Sequence, residues 1–168
     1  LGELKGLLNG KGFKMIDGNP VFNADKAYKD SKLCNILFGR ELYRRLKLCG
    51  KPMPVIAWAP GLIIPKNNSG FFRYSRKYNE LGQRLFALIA RDIFNITETE
   101  DNAGKLLLSL ATESKYDKIC FNYISNSLVR PGKKKFEESK ISVEASNDFI
   151  AKKLWEISSN LLNIDSDI

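Results

Sequence analysis

The sequence predicts an α/β layer in which a long helix leads directly into a short buried strand. Three observations point there. Leu33, Ile36, Leu37 and Leu46 recur at roughly helical spacing between Ala24 and Leu48. The stretch "PVIAWAPG", residues 54–61, is a short apolar run bounded by prolines, which suits a buried parallel strand over Val55 to Ala59. A helix followed at once by such a strand is half of a βαβ unit.

The opening "LGELKGLLNGKGFKMIDGNP" has five glycines and no clear period, so it reads as loop with one short helical turn. The helix over 24–48 is stopped by Gly50 and Pro52. After the strand, "IPKNNSGFFRYSRKYNE" is polar, basic and aromatic and reads as a long loop. Leu81, Leu85, Leu88, Ile89 and Ile93 predict an amphipathic helix. Thr97 and Glu100 are spaced as a capping box before the helix "DNAGKLLLSLAT". "KICFNYIS" predicts a strand, and "LVRPGKKKFEESK" a charged loop. Ile150, Leu154, Ile157 and Leu161 predict a final helix. There is no internal repeat and no boundary signal, so residues 1–168 are read as a single domain.

The 168 residues suffice for one domain with a core, and 43 % hydrophobic with 27 % charged content is that of a globular chain. The net charge of +8 favours anionic partners such as anionic lipid or a phosphorylated cofactor, or is simply a solvated lysine-rich surface. No basic stretch has the layout of a nucleic-acid platform, so no nucleic-acid partner is expected. Cys34, Cys49 and Cys120 have neither metal-site nor disulfide-framework spacing, which points to a reducing compartment and no metal. There is no histidine, which excludes a Ser-His-Asp triad and a Cys-His pair within the chain. A proton donor must be Tyr, Lys, Cys or a carboxylate. The longest apolar run, residues 55–64, is too short to span a bilayer and is broken by Pro60 and Gly61. The chain opens on Leu1 without a signal-peptide pattern, as if entered midway.

The stretch "DKAYKDSKLCN", residues 25–35, places Tyr28 four residues before Lys32 on the predicted helix. Positions i and i+4 share a face, so both side chains can meet one ligand. A free phenol has a pKa of about 10. A nearby ammonium favours the phenolate and brings proton exchange closer to neutral pH. Alone, the spacing also fits two polar residues on a helix surface.

In context, the pair, the long helix and the strand ending in Pro60-Gly61 resemble the short-chain dehydrogenase/reductase superfamily. The match sharpens in "AYKDSKLCN", "LGELKGL", "MIDG", "APGLI", "SGFFR" and "AKKLWEISSNLL". These resemble segments of the light-dependent protochlorophyllide reductases, and they cover the C-terminal half of that family. The resemblance implies the C-terminal part of a Rossmann-like fold, a parallel sheet flanked by helices. It implies NADPH as cofactor, protochlorophyllide or a related pigment as substrate, and a plastid location, in the stroma or at the thylakoid. Tyr28 would be the proton donor and Lys32 its ribose-binding partner. Cys34 would lie against the pigment or assist protonation, or else be a small buried residue. Pro60, Gly61 and Ile63 would pass the nicotinamide at the carboxyl end of the strand.

Two departures stand against this pattern. The glycine-rich strand-turn-helix that cradles NADPH phosphates is missing, and "LNGKGF" lacks the third glycine and a preceding strand. The threonine expected to hold the nicotinamide carboxamide is replaced by Pro65, with Asn67, Asn68 and Ser69 as possible substitutes. Two readings follow: the C-terminal half of a reductase, inactive alone and completed by its own N-terminal half, or a catalytically degenerate scaffold docked on a larger photosynthetic assembly. The aromatic-basic "FFRYSRKY" suits peripheral contact with an anionic membrane, or the substrate-side lid of a reductase.

Overall fold

The computed structural model describes residues 1–9, 14–67 and 77–165. In chain order these form a 3₁₀ turn (Gly2–Leu4), α1 (Lys5–Asn9), α2 (Ala24–Leu48), β1 (Val55–Ala59) and α3 (Glu80–Ala87), which runs into a π-helical turn (Leu88–Ile93). Then come α4 (Glu100–Thr112), a 3₁₀ turn (Ser114–Tyr116), β2 (Phe121–Arg130), β3 (Lys133–Glu138) and α5 (Asp148–Leu162). The strands make one mixed sheet in the order β1-β2-β3. This is the expected α/β layer, extended by an antiparallel β2–β3 hairpin. No helix among the described residues is long and apolar enough to cross a membrane.

The contacts group into two compact units, one of residues 1–57, 118–123 and 140–168, the other of residues 58–117 and 124–139. In the first, α2 begins at Asn23, whose side chain accepts from the Lys26 N–H at 2.9 Å. The cap satisfies one of the helix's orphan donors. At the other end the Lys51 N–H folds back to the Leu46 carbonyl. Leu37 on α2 is fully buried with Leu4, Ile150, Ala151, Leu154 and Ile157, which joins α2 to α5. Phe38 stacks on Trp155 at 4.9 Å between centroids, and the Arg40 guanidinium donates to the Ala145 carbonyl and to Asp148. Gly39 lets α2 approach the sheet: a Cβ there would lie 3.0 Å from the Phe121 ring and 3.7 Å from Val55. So the helix bearing Tyr28 does pack on the strand predicted at Val55 to Ala59.

In the second unit, Ile64, Ala87 and Ala90 are buried together against Ile96. The predicted apolar stripe of α3 is mostly solvent-facing: Leu81, Leu85, Leu88 and Ile93 are exposed, and the two alanines do the burying. The helix continues past Ala87 in wider turns, with the Phe94 N–H on the Ile89 carbonyl, five residues back.

Two local expectations are corrected. The cap of α4 is Thr99, not Thr97: the Thr99 hydroxyl accepts from the Asn102 N–H at 3.1 Å, while Thr97 is buried and its carbonyl takes the Lys134 ammonium. Thr99→Ala is expected to cost about 1 kcal/mol, read as a lower midpoint in denaturant unfolding. The stretch 128–140 is not a loop. β2 runs on to Arg130, Pro131-Gly132 turns the chain, and β3 pairs back antiparallel, Asn126 opposite Phe136, with a register shift between Leu128 and Arg130 beside the turn. Gly132 has φ +73°, the value the second central residue of a Pro-Gly type II turn needs. The lysines concealed the alternation, because Lys134 and Phe136 face inward while Lys133 and Lys135 face water.

Candidate active site

Within the first unit, Tyr28 and Lys32 lie on one exposed face of α2. The Lys32 ammonium sits 5.3 Å from the centroid of the Tyr28 ring, inside cation–π range. Their surroundings are polar and locally braced. Lys29 pairs with Asp25 at 2.6 Å, Lys26 bridges Asp17 and Asp30, and the Ser31 hydroxyl donates to the Tyr28 carbonyl at 2.7 Å. Neither lysine neighbour of the pair competes for Lys32's place, since each has its own carboxylate.

Cys34 occupies a different face. It follows Tyr28 by six residues, about 120° away around the helix at roughly 100° per residue. Its side chain packs against the Leu37–Leu154 core cluster. Burial pushes the Cys34 thiol up from its ordinary value, with the charge of Asp30 adding to the effect. The thiol therefore keeps its proton at neutral pH.

Within the second unit, the segment after β1 is Pro60–Gly61–Leu62–Ile63. Gly61 has φ +95°, open to glycine and strained for other residues, and a Cβ on it would lie 3.2 Å from the Asn126 carbonyl oxygen. The Glu98 N–H donates to the Leu62 carbonyl at 2.6 Å, and Ile63 and Glu98 form a parallel bridge. The Asn126 amide donates to the Pro60 carbonyl at 3.2 Å and to the Glu98 carboxylate at 2.7 Å. Pro65 is buried. Residues 68–76, with Asn68, Ser69, "SGFFR" and most of "FFRYSRKY", lie outside the described residues, as do 10–13 of "LNGKGF".

Glu98, Asn126 and Lys134 were not singled out in the sequence. Asn126 left no trace, because it follows the run 118–125 read as a strand and sits between Ser125 and Ser127. Glu98 is buried, which by itself raises its carboxyl, but the Thr99 N–H, the Asn126 and Asn102 side chains and the Lys134 charge outweigh burial and hold it below the usual carboxylate range.

No protein-family model matches the chain. It is similar to several curated proteins. The chloroplastic protochlorophyllide reductase of Cucumis sativus is 34 % identical over 98 % of this chain and 39 % of its own length. The protochlorophyllide reductase of Avena sativa is 32 % identical over 98 % of this chain and 50 % of its own. The chloroplastic protochlorophyllide reductase of Marchantia paleacea is 34 % identical over 96 % of this chain and 33 % of its own. The chain thus spans well under two thirds of the length of these relatives, and the match falls on their C-terminal part.

Proposed function

We propose that this chain, which matches the C-terminal part of protochlorophyllide reductases over nearly its whole length, is the proton-donating half of such an enzyme. The reaction is the NADPH- and light-dependent reduction of protochlorophyllide to chlorophyllide, carried out in the plastid. The observation that carries the reading is the Tyr28–Lys32 pair, exposed on one helix face with ammonium and ring 5.3 Å apart. The Tyr28 hydroxyl donates a proton to the pigment double bond. Lys32 favours the phenolate left behind and hydrogen-bonds the ribose hydroxyls of the cofactor. Cys34, on another face and packed against the core cluster, stays a protonated thiol and is left out of the proton transfer.

The residues present suit the nicotinamide-ribose end of NADPH, which supplies hydride when bound. Taken each by itself, the first unit offers an exposed Lys32 for ribose hydroxyls, and the second an Ile63 whose N–H and C=O carry no hydrogen bond among the described residues. The phosphate end has no counterpart: among the described residues no glycine-rich turn links a strand to a helix N-terminus. The chain works with a second half that supplies this cradle.

The test is reconstitution. The chain is mixed with the separately produced N-terminal part of the Cucumis sativus relative, NADPH and protochlorophyllide, and illuminated. Light-dependent conversion, absent with either part alone, is the expected result. A complex that forms without conversion would favour the second reading, a reductase-derived scaffold in a larger assembly. The exposed Leu81, Leu85, Leu88 and Ile93 favour that reading, since apolar stripes of this kind seek a partner surface.

A further inference from the structure

We infer that Glu98 is a positioning residue for the loop after β1, clamping Pro60 to Ile63 so that the Ile63 peptide group is presented to a primary carboxamide. The inference rests on the reductase reading of that loop. Glu98 grips it twice. Its backbone N–H takes the Leu62 carbonyl, and its carboxylate, through the Asn126 amide, takes the Pro60 carbonyl. The two grips are two residues apart and flank Gly61, where an added Cβ would lie 3.2 Å from the Asn126 carbonyl oxygen.

The pairing geometry decides which way Ile63 points. In a parallel bridge, one residue bonds the neighbours on either side of its partner, and the partner's own N–H and C=O face the other way. Glu98 is the residue that bonds, so the Ile63 N–H and C=O face away from it. One donor and one acceptor side by side complement a primary carboxamide, which offers one of each.

Glu98 is 8 % exposed, and burying a charge is costly unless every oxygen is satisfied. Here every oxygen is: Oε1 accepts from the Thr99 N–H at 2.8 Å, and Oε2 accepts from Asn126 with the Lys134 ammonium 3.6 Å away. The arrangement fixes the loop from the side opposite the ligand. That suits a chain in which Pro65 has replaced the hydroxyl expected farther along. Catalytic geometry must be held to about 0.5 Å, and such supports supply that precision.

The experiment uses the 168-residue chain, labelled for NMR, with free nicotinamide as the probe. Two variants are compared, Glu98→Ala and the size-conserving Glu98→Gln. In both, the amides of residues 64, 98 and 99 are expected to exchange at least about tenfold faster, while those of Leu107 to Leu110 in α4 keep their rates. Nicotinamide is expected to shift the Ile63 amide resonance in the wild type, and the apparent affinity to drop at least about tenfold in Glu98→Gln. Unchanged loop exchange in a folded Glu98→Gln chain overturns the inference. So does an undiminished Ile63 response there, which leaves the reductase reading standing and Glu98 merely structural. No Ile63 response in the wild type defeats that reading of the loop and the inference with it.

Discussion

In the reconstituted enzyme, Tyr28→Phe is expected to slow pigment reduction by about 10²- to 10⁴-fold, the range of a lost general acid. Only the hydroxyl is removed. The ring stays over the Lys32 ammonium, and Tyr28 is 43 % exposed, so neither fold nor pigment affinity should change measurably. The loss therefore falls on kcat and kcat/KM together, as for an interaction made in the transition state. Lys32→Ala behaves differently. It removes a cofactor contact as well as the charge beside the phenol, so the KM for NADPH rises while kcat falls. Steady-state kinetics under saturating light separate the two variants. Equal rates for wild type and Tyr28→Phe would remove Tyr28 from the chemistry.

The second large effect concerns Glu41 on α2. It is 2 % exposed and bound by the Arg44 fork at 2.7 and 2.6 Å and by Arg45 at 2.8 Å, with Arg45 in turn over the Trp155 ring. Burial raises the Glu41 carboxyl, but the two guanidiniums outweigh it and hold it below the ordinary carboxylate range. Glu41→Ala leaves the cations without their acceptor and is expected to cost about 3 kcal/mol. That is the low end for a broken buried pair, because Arg44 is 43 % exposed and water can take it over. The sign with pH follows from the lowered value. The contribution is complete above the unfolded carboxyl pKa of about 4.3 and is lost as pH falls through the lower folded value. The stability gap between wild type and Glu41→Gln should thus be widest near neutrality and shrink below about pH 4. Urea unfolding at several pH values measures it. A gap that grows on acidification would contradict the sign.

What the sequence made legible was whatever local chemistry dictates. Helix α2 was readable to its ends, because Gly50 and Pro52 stop it and its apolar positions keep helical spacing. The Tyr28–Lys32 face followed from the same period. The β2–β3 hairpin was hidden because Lys134 faces inward for its hydrogen bonds and breaks the apolar code of an inward position. The cap of α4 went to Thr99 because the backbone places that hydroxyl, and not that of Thr97, under the Asn102 N–H. The Glu98 clamp joins residues 60, 62, 98 and 126, and no period connects positions so far apart.

As proposed, this chain holds the proton donor of a reductase but not the site for the cofactor's phosphates. The decisive measurement is a titration of the isolated 168-residue chain with NADPH, followed by fluorescence or calorimetry. No saturable binding in the micromolar range and no light-driven reduction of added protochlorophyllide are expected, because no backbone cradle among the described residues receives the phosphate charge. Tight, saturable binding accompanied by light-driven reduction would show that the chain is self-sufficient and would contradict the division of labour proposed for it.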